Sequence, residues 1–466
     1  MPDTAAPTPP PDTLALRRTV AFTVNLGAFL TPFMSASLNV GLPAMGRDLA
    51  MGATGLTWVA GAYLLAAAVF TVPMGRIADI YGRRRILLYG NVIFAIFSLL
   101  SAVAWSPAVM IASRALQGIG GAMLFATGTA LLTSVFPPGE RGRVLGKNVT
   151  AVYLGLALGP FLGGFLTQHF GWRSVFLVNF LLGLVLVLAV LWKLRGEWAE
   201  ARGESFDGAG ALLYGGALVL LMLGFSRLAS ELGVGLLLAG VALLVGFVFW
   251  ETRRPSPVLD VSLFRTNPVF ALSSVAALIH YSATFAVTFM LSLFLQSVQG
   301  RSPQGAGLIL VAQPFMMALF SPLAGRLSDR IEPRILASFG MSLTVAGVFL
   351  LSFLHAGTTS AVILAELLLL GFGFALFSSP NTNAVMSSLD KRHLGVGSGI
   401  LGTMRVLGQN LSMGIVMMVL ALLLGGQQVG VDTQPQFMRA VQVVFWIFSG
   451  LGVVGVFASL ARGRLR

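Results

Sequence analysis

Apolar runs of about twenty residues, broken by short polar stretches, recur along the whole chain. A helix rises about 1.5 Å per residue, so each run can cross a hydrocarbon core of roughly 30 Å. A helix also bonds all its backbone groups within the segment, as a bilayer requires. The pattern predicts fourteen helices, over residues 20–44, 54–74, 86–105, 108–134, 145–168, 173–192, 209–228, 233–251, 268–294, 304–325, 334–354, 360–386, 395–424 and 440–461. The fold class is an all-α membrane protein.

The polar stretches differ in charge. The N-terminal segment and the even-to-odd loops hold 23 of the 30 lysines and arginines, and the opposite loops hold 5. Arg114 and Arg405 lie inside predicted helices. Basic residues accumulate on the cytoplasmic side of membrane proteins. The asymmetry therefore predicts that both termini are cytoplasmic and that the helix number is even. The opening MPDTAAPTPPPDT is proline-rich and lacks the basic region of a signal peptide. Residues 1–19 are expected to form a disordered cytoplasmic tail.

Composition narrows the function classes. The 466 residues are 56% hydrophobic and only 10% charged, against about 25% charged in a soluble domain. A net charge of +13 is accounted for by the loops and implies no nucleic-acid partner. There is no cysteine, and the four histidines stand apart, so neither thiolate chemistry nor a metal site is expected. No HExxH, GxSxG or paired-acid motif and no soluble domain supports an enzyme, and no cofactor is expected. The expected partners are the lipid bilayer, a small-molecule substrate and protons, with the chain acting as a monomer in a bacterial or archaeal-type cell membrane.

The chain repeats itself. GRIADIYGRRR begins at Gly75 and GRLSDRIEPRI at Gly325, an offset of 250 that aligns Gly75 with Gly325, Arg76 with Arg326, Asp79 with Asp329 and Arg84 with Arg334. GIGGAMLF from Gly118 aligns with GFGFALFS from Gly371 at an offset of 253. Two near-equal offsets indicate duplication. Six helices (20–192) pair with six more (268–466), and 193–267 forms a linker carrying two additional helices. Internal repeats meeting at a midplane cavity are the architecture of secondary transporters.

These motifs carry a family resemblance over essentially the whole chain. GRIADIYGRRR between helices 2 and 3 resembles the signature loop of the major facilitator superfamily, and RALQGIGGAM resembles its helix-4 motif. GLALGPFLGG on helix 5 resembles the motif of its antiporters. SLNVGLPAM and FDGAGALL resemble the fourteen-helix drug:proton antiporter branch. The resemblance implies alternating access, with the loop latching the two halves while the cavity faces outward. One departure stands out: Met34 occupies the helix-1 position where that branch commonly carries an aspartate.

The residues suggest roles of their own. Asp79 can cap a neighbouring helix and pair with Arg83, while Gly75 and Gly82 permit close approach and unusual backbone angles. Together with Arg76, Arg84, Gly325, Arg326 and Asp329 they form a candidate gate, whose arginines would otherwise only mark topology. Gly155, Gly159 and Gly163 make a smooth stripe at i, i+4 and i+8, with a kink expected at Pro160.

Charges within a bilayer are costly and point to function. Arg405, with Gln409 one turn on, and Arg114 are placed in the cavity. Sixteen of the seventeen carboxylates fall in tails, loops or helix ends. The exception, Glu366, sits one residue from the repeat counterpart of Arg114. It is the candidate proton carrier, with Arg114 as its modulator and His280 as its rival. Asn25, Asn39, Tyr281, Gln313, Asn381 and Asn383 are further cavity candidates, each alternatively a polar contact between helices.

The reading is a proton-coupled exporter of small amphipathic compounds. A dedicated exporter of a neutral or anionic metabolite or lipid is the alternative, because acids are scarce in the spans. A non-transporting sensor with the same fold is a third reading.

Overall fold

The computed structural model describes residues 11–51, 53–227, 230–259, 262–301, 303–424 and 434–463. Its helices are α1 (Pro11–Asp48), α2 (Ala53–Tyr81), α3 (Arg83–Ala102), α4 (Pro107–Val135), α5 (Pro138–Phe170), α6 (Arg173–Lys193), α7 (Gly208–Ser226) and α8 (Glu231–Glu251). A short turn of helix, Ser262–Thr266, leads into the second half. There α9 comprises Pro268–Thr284 and Val287–Leu293, and α10 comprises Pro303–Leu310 and Ala312–Ser328. They are followed by α11 (Pro333–Leu351), α12 (Ser360–Ser387), α13 (Leu394–Leu424) and α14 (Gln434–Ala461). Among the described residues thirteen helices are long and apolar enough to cross a membrane, and α7 adds a shorter apolar helix, Gly208–Gly224.

Helix starts follow local chemistry. Ser106 accepts a bond from the Val109 amide at the head of α4, with Pro107 at the first helical position. Asp207 caps α7 through Gly210, Ser230 caps α8 through Gly233, and Asn267 caps α9 through Phe270.

Three expectations are corrected. First, α1 begins at Pro11, so residues 11–19 belong to a helix and not to a tail. Second, α9 is interrupted at residues 285–286, where the Ala286 amide donates 3.1 Å to the Ser412 hydroxyl of α13, and it then passes into a π-turn over Phe294–Val298. Third, α10 breaks at Val311. Pro314 has no N–H to offer the turn before it, which explains why the ladder opens there.

Helices α1–α6 and α9–α14 form two bundles. The two meet through α2 against α13 and α5 against α10. Helix α7 lies over the first of these seams: Gly215 approaches Val69 of α2, and the Tyr214 hydroxyl meets Thr403 of α13 at 2.9 Å. Helix α8 packs on α7, with Leu237 filling the space beside Gly224. The perimeter is apolar, carrying exposed Phe161, Trp192, Leu212 and Phe457.

Candidate functional site

One end of the molecule is closed by two matching latches. In the first, Asp79 at the end of α2 is fully buried and accepts bonds from the amides of Gly395 (3.0 Å) and Val396 (3.2 Å) at the head of α13. Arg83 holds the same carboxylate through Nε and Nη2, at 2.9 and 2.7 Å, and reaches the carbonyl of Lys391. In the second, Asp329 after α10 accepts bonds from the amides of Gly142 (2.8 Å) and Arg143 (2.9 Å) in the first turns of α5. A carboxylate on amides in the first turns of a helix is favoured by both hydrogen bonding and the helix dipole.

Glycines let the backbones meet. A Cβ on Gly75 would lie 2.4 Å from the Gly395 carbonyl, and one on Gly325 would lie 2.1 Å from that of Gly142. Gly82 has φ of 118°, and a Cβ there would meet the Glu197 side chain.

The α6–α7 linker folds over the first latch. Trp198 O accepts from the Arg83 amide, the Ala201 amide donates to Asp79 O, and Glu197 accepts from the Arg84 amide at 2.8 Å. Arg84 Nε donates to Leu194 O, and buried Arg76 forms an ion pair with Glu204. Arg326, the repeat counterpart of Arg76, is exposed. The two latches thus share their core and differ in their covering.

Helix α5 uses its glycines twice. Gly142 and Gly146 face α10, whereas Gly155, Gly159 and Gly163 face α1. There a Cβ would lie 2.5 Å from Phe29 O, 2.5 Å from Ala36 Cβ and 2.6 Å from Ser37 Cα respectively. Ser37 Oγ donates to Gly159 O at 2.9 Å. The helix continues through Pro160, which is exposed at the perimeter.

Beyond the latches, the halves line a cavity of about 120 Å³. Its polar lining comprises Thr31, Thr129, Asn148, Ser378, Asn381, Thr382, Ser398 and the hydroxyls of Tyr153 and Tyr281. Among the described residues Arg405 is the one charged side chain in this lining. Its guanidinium lies 5.6 Å from the Phe125 ring centroid and 5.8 Å from that of Tyr281.

The structure sorts the predicted residues. Arg405, Tyr281 and Asn381 line the cavity. Asn25 stands one shell back, accepting from Asn148 at 3.2 Å. Gln409, Gln313 and Asn383 lie outside the lining; Asn383 donates to Ser328 Oγ at 2.9 Å. The Asn39 side chain is outside the described residues.

Arg114 does not reach the cavity either. It is buried between α2 and α4, bonded to Val59 O at 3.1 Å and to Gln117, and stacked 4.5 Å from the centre of the Tyr63 ring. Gln117 passes the network to Ser98 of α3. Glu366 is buried outside the lining, with Oε2 lacking a hydrogen-bond partner, and it is not brought to Arg114. The His280 ring stacks 4.0 Å from the Phe377 centroid and lies 4.5 Å from that of Phe374, with Nε2 unpartnered.

Three residues carried no clear sequence signal. Asn148 and Tyr153 look like ordinary α5 positions until α5 is seen to border the cavity. Arg462 reads as a topology marker, yet it is buried under the second half. It donates to Asn381 Oδ1 (2.8 Å), Ser273 Oγ (3.1 Å) and Pro333 O (2.8 Å), and burial lowers its pKa to about 10.

Comparison with known proteins agrees with this architecture. The Major Facilitator Superfamily model matches residues 24–413. The multidrug resistance protein Stp of Mycobacterium tuberculosis is 32% identical over 427 residues, covering 90% of this chain and 77% of its own. The riboflavin transporter RibZ of Clostridioides difficile is 26% identical over 444 residues, covering 95% and 96%. The crystal structure of the human organic anion transporter MFSD10 superposes with a TM-score of 0.69 at 19% identity, covering 97% of this chain and all of that one, a likeness of fold. The chain belongs to the major facilitator superfamily: it is an integral membrane transporter and not an enzyme.

Proposed function

We propose that this transporter exports small amphipathic compounds by alternating access, driven by proton entry. The observation that carries the reading is the pair of aspartate-to-amide latches at one end of a cavity between two repeats. Alternating access needs a closure that forms and breaks as a unit. Hydrogen bonds to a charged group contribute about 1.5–3 kcal/mol each, enough to hold a state without trapping it. The basic-residue asymmetry supports a cytoplasmic latched end, with both termini on that side. On this reading the structure is the form closed to the cytoplasm. The multidrug resistance and riboflavin transporter relatives support a substrate of drug or metabolite size.

Glu366 is the proposed proton carrier. It is buried in the second turn of α12, lacks an ion pair among the described residues, and shares its helix with cavity residues Phe377, Ser378 and Asn381. His280 is the rival, held between two phenylalanine rings.

Proteoliposomes with a trapped pH dye test the assignment. Substrate-triggered proton flux is expected in the wild type and in His280→Phe, and is expected to be lost in Glu366→Gln. Flux retained in Glu366→Gln and lost in His280→Phe would move the carrier to His280. Substrate movement without proton flux would sink proton coupling. A dedicated metabolite exporter is the second reading, favoured by the absence of carboxylates from the described cavity lining.

A further inference from the structure

Arg405 lies eleven residues into α13, about 16 Å along the helix, near the middle of the span. A cation at that depth carries a large desolvation penalty unless something offsets it. The other interior arginines are compensated. Arg83 has Asp79, Arg76 has Glu204, Arg114 has Gln117 and a backbone carbonyl, and Arg462 has three oxygen acceptors.

Arg405 is offset differently. It contacts the faces of Phe125 from the first half and Tyr281 from the second, and it is half-exposed to the cavity. Two ring faces at 5.6 and 5.8 Å attract a guanidinium without occupying its N–H donors. No carboxylate stands in the described lining to take them.

The surroundings are aromatic. Tyr281 sits edge-on to Phe374 at 5.5 Å, and Phe374 sits edge-on to Tyr153 at 5.8 Å, so the three rings form a cluster beside the cation. Asn148, Ser378 and Thr129 supply neutral donors and acceptors around the rim. A flat apolar wall next to a planar fork of N–H groups is complementary to one chemical class: a ring system bearing an acidic group. The carboxylate accepts bidentately from the guanidinium while the ring packs on the aromatic cluster. A cationic guest would face Arg405 across a low-dielectric cavity with no acid to balance it.

We infer that Arg405 is the specificity residue of the cavity, selecting aromatic organic anions over their neutral and cationic counterparts, with Phe125 and Tyr281 holding it in place. This rests on the cavity being the transport site. The selectivity itself is a property of binding and is measurable without transport.

The test uses three guests that share one ring: 2-naphthoate, 2-naphthamide and 2-naphthylmethylammonium. Calorimetry on the full chain in lipid nanodiscs, with empty nanodiscs subtracted, gives their affinities. Naphthoate is expected to bind at least about tenfold tighter than naphthamide, equivalent to about 1.4 kcal/mol. In Arg405→Gln that ratio falls to about one while naphthamide binding stays. Arg405→Lys retains the charge and loses the planar fork, so an intermediate ratio is expected. It also serves as the second variant should Arg405→Gln fold poorly. Naphthamide or the ammonium binding as well as naphthoate, a ratio unchanged in either variant, or no binding of any of the three would overturn the inference. The proton-flux assay judges the export reading separately. Proton-coupled export of a neutral or cationic compound alongside a failed naphthoate preference would leave that reading intact.

Discussion

Asp329 stands to Gly142 as Asp79 stands to Gly395. Each carboxylate sits at the end of one repeat and accepts amide bonds from the first turns of a helix in the other. Asp79 and Asp329 are 250 positions apart, and Gly142 and Gly395 are 253 apart, the same offsets that the sequence repeat shows. The molecule therefore carries two copies of one latch, related by its internal pseudo-symmetry. Under the proposed alternating access both copies would act on the same opening, so their free energies would add in one equilibrium.

Removing either carboxylate should release the latched end. Hydrogen bonds to a charged acceptor contribute about 1.5–3 kcal/mol, so Asp79→Ala or Asp329→Ala should shift the open population by roughly tenfold or more. The chain has no cysteine, so a single Ser398→Cys gives an unambiguous reporter in the cavity. Labelling of that reporter thiol by a membrane-impermeant reagent from the latched side should accelerate in each variant, and most in the double variant. Unchanged labelling in both single variants would show that the latches do not hold this end closed.

The two glycine sets of α5 should separate by phenotype. A methyl at Gly142 would collide with the carbonyl of Gly325 across the halves, while one at Gly159 would collide with Ala36 inside the first half. Gly142→Ala should behave like Asp329→Ala in the labelling assay, with little loss of thermal stability. Gly159→Ala should instead lower stability, by about 1–3 kcal/mol for an overpacked contact, without accelerating labelling. The same response from both would mean that α5 moves as an undivided wall.

Much of this pair of latches was legible in the sequence. Charges and glycines gathered between apolar runs stand out, and their recurrence in register marked the second copy. The polar residues inside the spans were harder. Arg114 points away from the cavity because Gln117 and Tyr63 hold it, and the position of Tyr63 depends on how α2 packs against α4. The break in α9 has neither proline nor glycine at residues 285–286; it is stabilised by Ser412, over a hundred residues away in the chain. Arg462 looked like one more basic residue at a helix end because its three acceptors come from α9, α11 and α12. In each case the missing information was which helix lies beside which.

The linker should act on one latch only. Arg76 is buried with Glu204 as its ion-pair partner, while the equivalent Arg326 is exposed. Glu204→Gln leaves a buried cation uncompensated and should destabilise the first latch, whereas Arg76→Gln leaves a part-exposed carboxylate and should cost less. Arg326→Gln should be close to neutral. Thermal stability of the three variants, and thiol labelling of each in the Ser398→Cys background, would check this order. Equal effects of Arg76→Gln and Arg326→Gln would show that the linker contact is idle.

The opposite end is tied by Asp48, and its pH response follows from its partners. Asp48 ends α1 and pairs with Arg173, and it also accepts from Trp172 Nε1 at 3.1 Å. Arg173 donates further to Ala104 O at 3.1 Å, so one cluster joins α1, the α3–α4 turn and the start of α6. The hydrogen bond from Arg173, with that from Trp172 and the arginine's charge, holds the Asp48 carboxyl below its ordinary pKa of 3.8. A carboxylate whose pKa is lowered by folding stabilises the folded form above the ordinary value, and that contribution fades as pH falls through the lower, folded one. Wild type should therefore be more heat-stable than Asp48→Asn at neutral pH, with the gap closing below about pH 3.8 and narrowing with added salt. A gap that persists unchanged in acid would mean that Asp48 acts through shape, and that Trp172 is held by packing alone.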